Sequence, residues 1–347
     1  MNWKVKILGA GSLGNHMANA SLKKGWLPTL CDIDEEALRR TRTSTFPQRY
    51  GDWDDRIRLA SPSEVDEEDF DLTIIGTPPH THVELAIKEI ENRKSKRILI
   101  EKPLAHFKDP NLDKLMSLSQ TLPCFIGYNH NCSPGHRKVI ELIKENRIGA
   151  IQSVQIHTLE SYDFILGAHP WLNSVNDTYL GSFQKAGGAS FEHSHGIAFG
   201  LSILKEIQNE LSGLLTGQIE LAPNQEFDLF FNFKAILNKG VNFEVTQNFT
   251  EKPPIKKALI KGEKGSITWE IPFQQSRDVV TLNTSLNHQV FEYKKERPTD
   301  FLYELDLIEQ DEDIKYCNSL QLGKDVLTLI EKTYLSYHES REVSFCL

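Results

Sequence analysis

The sequence has little of what disulfide-rich, zinc-binding or membrane-spanning proteins need. Its five cysteines are widely spaced and include no C-x-x-C pair, so neither a disulfide framework nor a zinc knuckle is indicated. No segment approaches the ~20 consecutive apolar residues of a membrane span. The N-terminus also lacks the basic and apolar regions of a signal peptide. We therefore expect a soluble, unprocessed protein of the reducing cytoplasm.

The sequence also has fewer basic than acidic residues. The 347 residues include 39 lysines and arginines against 48 acidic residues, which leaves a formal net charge of −9. Such a chain has no general electrostatic attraction to nucleic acid or to anionic membranes. At ~150 residues per domain, the length suggests two domains. Small molecules or proteins are therefore the expected partners.

Short apolar runs alternate with helical stretches from residue 4 to residue 124. Predicted strands such as 5–8, 72–75 and 97–100 are separated by predicted helices such as 16–24 and 83–92. Strands joined by helices of this length form right-handed crossovers and a parallel sheet. Residues 1–126 are therefore predicted to form a doubly wound α/β domain of the Rossmann type.

The pattern changes after this point in the chain. Strand-like runs at 228–233, 242–249 and 257–261 follow one another with short turns, which is typical of an antiparallel sheet. A helix is expected over 189–205. Residues 127–347 are therefore predicted to form a second domain that combines helices with an antiparallel sheet.

A glycine-rich turn follows the first predicted strand. Gly9, Gly11 and Gly14 have the spacing G-x-G-x-x-G, and a helix opens directly after them. Such glycines permit a tight turn, close approach of the backbone to a pyrophosphate and close helix packing, while the helix N-terminus attracts phosphates. Asp32 ends the second predicted strand, where its carboxylate can accept hydrogen bonds from ribose hydroxyls. Together these features predict a dinucleotide site.

The same aspartate favours NAD over NADP. Its carboxylate would repel a 2′-phosphate, and the next residue is Ile33 rather than an arginine that would clasp the phosphate. Arg39, Arg40 and Arg42 on the following helix leave NADP open. The alternative interpretation of Asp32 is a turn residue that binds nothing.

A third candidate ligand segment spans residues 76–82 at the end of a strand, where parallel sheets bind ligands. His80 and His82 resemble a metal pair, but no nearby cysteine or carboxylate completes a ligand set, so packed or solvated histidines and no metal are expected. The residues predicted to contact the cofactor are Gly9, Gly11, Ser12, Leu13, Gly14, Asp32, Thr77, Pro78, His82, Glu101 and Lys102.

Two further segments carry candidate chemistry. Lys102 lies in Glu101-Lys102-Pro103 after a predicted strand, and Pro103 restrains it to extended geometry at the ligand edge of the sheet. Glu192 and His195 are three residues apart and would share a helix face. A carboxylate beside an imidazole suits general acid/base work. The competing interpretations are a solvated lysine, a surface Glu–His pair and an H-x-H metal site.

In combination these motifs, with Gly127-Tyr128-Asn129, resemble the Gfo/Idh/MocA family of oxidoreductases over nearly the whole chain. The resemblance implies an N-terminal Rossmann domain and a C-terminal α/β domain with an open, largely antiparallel sheet, through which members often associate, here as a dimer or tetramer. It implies oxidation or reduction of sugars, inositols, nucleotide sugars and related compounds with NAD(P). By the match, Lys102 lies beside the reacting carbon and His195 accepts or donates the proton.

The resemblance also points to a branch of the family. Glu192 stands where the family usually has Asp, and its three-residue spacing to His195 is similar to members found near surface-polysaccharide and nonulosonic acid biosynthesis. An arginine commonly precedes Pro-Trp in that branch, where this chain has His169. The groups suited to binding a polyol, each with a packing role as its alternative, are Tyr128, Asn129, His169, Trp171 and Tyr179.

The leading hypothesis is reversible hydride transfer between a nicotinamide and a secondary hydroxyl carbon of a sugar-like substrate. His195 would take the hydroxyl proton, Glu192 would orient the imidazole, and Lys102 would stabilise the developing alkoxide. One alternative is a cofactor-binding regulator without turnover, and another is an enzyme that cycles NAD with no net redox change. The hypothesis requires the ammonium of Lys102 and the imidazole of His195 to meet over the same nicotinamide ring.

Overall fold

The chain divides into two compact units. The computed structural model describes residues 2–167, 172, 174–224, 226–296, 299–310 and 316–347. The first unit comprises Met1–Asn129 and Arg297–Gln321, and the second comprises His130–Glu296 and Leu322–Leu347. The sequence predicted one boundary near residue 126, whereas the chain returns to the first unit late in its course.

Strands and helices alternate in the first unit, and strands dominate the second. The strands are β1 (Lys4–Leu8), β2 (Leu27–Cys31), β3 (Arg58–Ala60), β4 (Leu72–Ile75), β5 (Ile98–Glu101), β6 (Cys124–Gly127), β7 (Ile151–Leu159), β8 (Ser212–Leu221), β9 (Asp228–Leu237), β10 (Asn242–Asn248), β11 (Ile255–Gly262), β12 (Gly265–Ile271), β13 (Arg277–Thr284), β14 (His288–Lys294) and β15 (Val343–Cys346). The helices are α1 (Ser12–Lys23), α2 (Glu35–Arg40), α3 (Phe46–Tyr50), α4 (His82–Asn92), α5 (Leu112–Leu118), α6 (Pro134–Lys144), α7 (Tyr162–Gly167), α8 (Ala189–Glu192), α9 (His195–Lys205), α10 (Thr299–Glu309) and α11 (Leu320–Glu339).

The first unit has a six-stranded parallel sheet in the order β3-β2-β1-β4-β5-β6. The strand order reverses between β1 and β4, and ligands of such sheets bind beyond the carboxyl ends at this point. All four residues of β4 are buried, as expected for a strand covered on both faces. The predicted doubly wound Rossmann domain is therefore confirmed.

Helix α10 explains why the late segment belongs to the first unit. Leu305 and Ile308 are fully buried in the same apolar core as the strands of the parallel sheet. Phe301 stacks on His16 of α1 with ring centroids 5.4 Å apart. Each buried leucine or isoleucine contributes ~1.5–3 kcal/mol. These contacts attach the segment to the parallel sheet, although it is far from that sheet in sequence.

The second unit has a nine-stranded mixed sheet in the order β14-β13-β12-β11-β7-β10-β9-β8-β15. Among the described strand pairs of this second sheet, β7 and β10 are parallel and the other neighbours are antiparallel. Helix α9 packs on β7 and β10 and is buried from Gly196 to Leu204. The prediction of a second α/β domain with a largely antiparallel sheet is confirmed.

The helices differ from prediction at one functional segment. The sequence predicted one helix over 189–205, but α8 ends at Glu192 and α9 begins at His195, with a turn at His193 and Ser194 between them. Across the described residues, every helix falls short of the combined length and apolarity that a membrane crossing requires.

Candidate functional site

The three glycines of the turn after β1 have three different structural roles. Gly9 has φ of +104°, and a Cβ there would lie 2.7 Å from Gly76 O. A Cβ on Gly14 would lie 2.0 Å from Gly9 O. At Gly11, by contrast, a Cβ would meet no described atom within 4 Å. Gly9 therefore makes the turn, Gly14 allows close packing, and the backbone at Gly11 stays open to a pyrophosphate.

Asp32 is tied to this turn through its carboxylate. The Ala10 N–H donates to Oδ2 at 2.7 Å, and the Asp34 N–H donates to Oδ1 at 2.9 Å. Helix α1 begins next to the turn with Gly11 as its N-cap and no acidic residue in its first turn, so its amide end stays favourable for an anion. Asp32 is thus a turn residue and also a link to the glycine loop, and its contact with ribose stays a prediction.

The three arginines that left NADP open all lie beside carboxylates. The pairs are Arg39–Glu36 at 2.6 Å, Arg40–Asp34 at 3.8 Å and Arg42–Asp55 at 3.7 Å. Exposed pairs of this kind contribute little to stability. They do mean that a 2′-phosphate would have to compete with carboxylates for each guanidinium, which agrees with NAD as the cofactor.

The loop after β4 is held by its own side chains. Thr77 Oγ1 and Thr81 Oγ1 are 2.7 Å apart, and the Leu13 side chain packs against Gly76, where a Cβ would lie 2.7 Å from Leu13 Cδ2. His82 is completely buried, whereas His80 is exposed. Within the described ranges, no group of three His, Cys, Asp or Glu side chains could hold a metal ion. The two histidines thus differ in exposure, since His82 is buried and His80 faces solvent.

Lys102 directly follows β5 and is half-buried. Its N–H donates to Glu101 Oε2 at 2.5 Å, so the two residues form one compact turn. The same carboxylate packs on Gly127, where a Cβ would lie 2.8 Å from Oε2. At the end of β6, Asn129 Oδ1 is buried and accepts no hydrogen bond from the described residues, which fits a donor on a ligand. Tyr128 is 1% exposed and belongs to the core.

Glu304 of α10 is a buried carboxyl group that the sequence did not single out. It is 1% exposed. Burial raises its pKa well above the usual range, and the negative charges of Glu101 and Asp300 raise it further. Burial and these two charges thus favour the protonated form of Glu304. Sequence spacing does not associate Glu304 with Glu101, because the two residues are about 200 positions apart and meet only through the placement of α10 in the first unit.

In the second unit, Asp228 anchors the start of α8. Ser190 donates to its carboxylate from both N (2.8 Å) and Oγ (2.9 Å), and Tyr334 of α11 donates from its hydroxyl at 2.8 Å. Gly188 has φ of +95°, and a Cβ there would lie 2.1 Å from Asp228 Oδ1. Burial raises the pKa of Asp228 to about 6 despite these donors. Sequence reasoning missed this residue, which looked like an ordinary first residue of a strand.

Glu192 and His195 do not share the face of one helix, which corrects the prediction. The turn at His193 and Ser194 separates α8 from α9, so the i,i+3 geometry of a continuous helix does not apply. The Tyr179 hydroxyl instead donates to Glu192 Oε2 at 2.9 Å. Tyr179, predicted to contact substrate, thus fixes the orientation of Glu192.

His195 lies at the start of α9 beside a small cleft. Its imidazole stacks on that of His130, with ring centroids 4.5 Å apart and planes inclined by 23°. The cleft is lined by His130, Ile156, Thr158, His195, Gly196, Phe199, Lys256 and Trp269. Lys256 lies 3.1 Å from Glu160. Imidazole, ammonium, hydroxyl and aromatic groups in one cleft suit a polar ligand with an apolar face.

The predicted residues fall into two sets. Lys102, the glycine turn and Asn129 belong to the first unit, and Glu192 and His195 belong to the second. The predicted substrate residues His169 and Trp171 lie outside the described residues. Sequence reasoning did not identify Thr158, Lys256 or Trp269, which lie on three different strands and have no common spacing.

Residues 3–124 match the model of the Gfo/Idh/MocA oxidoreductase family, an NAD-binding Rossmann fold. A curated relative, Oxidoreductase P35 of Formosa agariphila, is 22% identical over 306 residues, which are 86% of each protein. The aldose-aldose oxidoreductase from Caulobacter crescentus, crystallised with glycerol, has a TM-score of 0.75 at 15% identity and covers 99% of this chain and 100% of its own. Levoglucosan dehydrogenase with NADH and L-sorbose has a TM-score of 0.72 at 16% identity and covers 99% of both chains. At these identities the solved structures show a shared fold.

Proposed function

We infer, from the match of residues 3–124 to the model of the Gfo/Idh/MocA family of NAD-binding oxidoreductases, that this chain is an NAD-dependent dehydrogenase or reductase. It transfers a hydride between the nicotinamide and a secondary hydroxyl or carbonyl carbon of a sugar, nucleotide sugar or related polyol. The observation that carries the proposal is the glycine turn, whose open backbone at Gly11 fits a pyrophosphate. When bound, NAD supplies the hydride acceptor for alcohol oxidation.

The chain's own residues handle the proton and the developing charge. Oxidation of a secondary alcohol breaks the C–H bond and the O–H bond, and His195 accepts the hydroxyl proton. Lys102 stabilises the oxygen as negative charge develops there. Glu192 orients the imidazole, and the hydrogen bond from Tyr179 supports that role by holding its carboxylate in place. In the direction of reduction, His195 returns the proton.

The proposed substrate contacts are groups that exchange hydrogen bonds with hydroxyls or cover a sugar face. Asn129 is supported by its buried, unbonded Oδ1. Tyr179 acts through Glu192 as well as by contact. His169 and Trp171 complete the proposed set, whereas Tyr128, which is 1% exposed, fits its alternative role in packing. Lys256 and Trp269 join it because they line the cleft beside His195.

The names of similar proteins support a carbohydrate substrate, since they include an aldose-aldose oxidoreductase and a levoglucosan dehydrogenase. We propose a role in surface-polysaccharide biosynthesis in the cytoplasm. We also propose assembly into a dimer or tetramer through the second sheet. Leu214 and Ile236 support this assembly because they are exposed and pair across β8 and β9, which leaves adjacent apolar surface on that sheet.

A panel of aldoses, inositols, sugar acids and nucleotide sugars tests the function. Each compound is incubated with the chain and NAD, and NADH is followed at 340 nm. The proposal predicts net NADH formation with at least one class, and transfer of deuterium from the oxidised carbon to the cofactor. Tight NADH binding without exchange across the panel would favour a regulator. Product formation with the cofactor returned to its starting state would favour an enzyme without net redox change.

A further inference from the structure

His82 lies between the two loops that carry the candidate cofactor and catalytic residues of the first unit. Its Nδ1 is 2.9 Å from Pro103 O, in the loop that follows Lys102. Its Nε2 is 2.7 Å from Thr77 O, in the loop after β4. The imidazole thus spans from one loop backbone to the other.

The sheet itself does not connect these loops. β4 and β5 pair from Thr73 and Ile98 up to Ile75 and Ile100, and the ladder ends there. Beyond that point each loop depends on other contacts for its position. The buried ring of His82 supplies one where the strands no longer bond to each other.

Complete burial gives the ring a fixed position. His82 is 0% exposed, so its contacts are not exchanged with water. Burial lowers its pKa to about 4, which keeps the ring neutral at pH 7. A neutral imidazole has one N–H, so the tautomer decides which of the two carbonyls accepts its hydrogen bond, and the other carbonyl only lies against the ring. The role of His82 is therefore one of position and not of proton transfer.

We propose that His82, predicted from sequence as a cofactor contact, is a positioning residue that fixes the Lys102 loop relative to the Thr77 loop. This inference rests on the proposed function, in which Lys102 acts beside the bound nicotinamide. A displacement of about 1 Å in a catalytic group can cost about 100-fold in rate. The bridge thus places the ammonium for the reaction without touching the substrate.

Three substitutions separate the two contacts. His82→Phe keeps a ring of similar size and removes both polar atoms. His82→Asn keeps a donor near the position of Nδ1, towards Pro103. His82→Gln keeps a donor near the position of Nε2, towards Thr77. Exposed His80, two residues earlier in the same loop, gives the matched control His80→Asn.

The readouts are kcat, the NADH dissociation constant from fluorescence titration, and the acylation rate of the Lys102 amine measured by mass spectrometry. We expect His82→Phe to lower kcat ~10–100-fold. It should also weaken NADH binding and alter the acylation rate of Lys102. His82→Asn should retain most of kcat and bind NADH more weakly. His82→Gln should bind NADH as the wild type does and lose kcat. His80→Asn should match the wild type in all three.

The inference is overturned if all three His82 variants match the wild type, or if they lose kcat and NADH affinity to the same extent. NADH affinity and Lys102 acylation need no substrate. If no sugar is oxidised but these two quantities divide between His82→Asn and His82→Gln as expected, the proposed reaction fails and the bridge stands. If a sugar is oxidised but NADH affinity and Lys102 acylation do not differ between His82→Asn and His82→Gln as expected, the proposed reaction stands and the bridge fails.

Discussion

In the first unit Lys102 directly follows β5. In the second unit His195 begins α9, which a two-residue turn separates from α8. The glycine turn and Lys102 each lie at the carboxyl end of a strand, so the parallel sheet brings them to one edge. Glu192 depends on Tyr179, and the start of α8 depends on Asp228 and Tyr334. A local motif thus specifies position in the first unit, and tertiary contacts specify it in the second.

This difference decides how well the position of each residue can be predicted from sequence. A residue at the end of a parallel strand is brought to the ligand edge when the sheet forms, and a contact such as that of His82 then sets its exact position. A residue held through distant partners changes position when any partner changes. We therefore expect substitutions in the glycine turn to act on cofactor binding, and substitutions around Asp228 to act on the second unit's site.

Gly14 and Gly11 offer the largest contrast within the first unit. Gly14→Ala places a Cβ 2.0 Å from Gly9 O, so we expect a loss of ~1–3 kcal/mol in the free energy of unfolding and NADH affinity weakened more than ~100-fold, or ~2.7 kcal/mol. Gly11→Ala meets no described atom within 4 Å. It should change stability by less than ~0.5 kcal/mol and still weaken NADH binding at least ~10-fold.

Urea unfolding and NADH fluorescence titration measure the two quantities. Gly25→Ala is not a suitable control, because Gly25 has φ of +74°. Ser117→Ala, on α5, provides an ordinary helical position in the same unit. Unchanged NADH affinity in Gly11→Ala would contradict the assignment of the open backbone to the pyrophosphate.

The sequence predicted the first unit closely because its signals are local. Strand β4 was predicted at its observed bounds, and the glycine turn and Lys102 lie where their motifs indicated. Strand β3 was not predicted, since its three residues, Arg58–Ala60, are too few to show a pattern. Helix α10 was also missed, because nothing in its own sequence shows which sheet it packs on.

The second unit's site could be predicted only in part. His195 and Glu192 were found by their spacing, but the helix break between them was not. The turn at His193 and Ser194 has no proline or glycine to mark it. Asp228 and His130 gained their roles from contacts with residues far away in sequence. Such contacts leave no periodic signal.

Asp228 gives the second unit a pH dependence that the first unit's glycine turn lacks. Its pKa is raised from 3.8 to about 6 in the folded chain. The stabilisation of the folded state is full below the unfolded value and is lost as pH rises to about 6. A shift of this size corresponds to ~3 kcal/mol. The unfolding free energy of the wild type minus that of Asp228→Asn should therefore fall by ~2–3 kcal/mol from pH 4 to pH 7.

Urea unfolding at several pH values measures this difference, and exposed Asp113→Asn on α5 serves as the control. Subtracting the variant removes the titration of other carboxylates. A difference that stays constant across this range would show that the pKa of Asp228 is the same in the folded and unfolded chain, which would contradict its predicted rise on folding.

The smallest expected effect concerns the hydrogen bond between Tyr179 and Glu192. Tyr179→Phe removes one donor at 2.9 Å from a partly buried carboxylate. We expect a loss of ~0.5–1.5 kcal/mol, which would appear as a several-fold decrease in kcat with NADH affinity unchanged. Exposed Tyr337→Phe is the matched control. An unchanged kcat would mean that Glu192 does not need Tyr179 to act.

The joint action of Lys102 and His195 is tested most directly by the single-turnover rate of NADH formation with a substrate found in the sugar panel. Lys102→Ala and His195→Ala are compared with Lys114→Ala and His288→Ala, two exposed side chains of the same types. We expect a rate lowered ~10²–10⁴-fold in each of the first two variants, with NADH still bound, and wild-type rates in the controls. A wild-type rate in either Lys102→Ala or His195→Ala would contradict it.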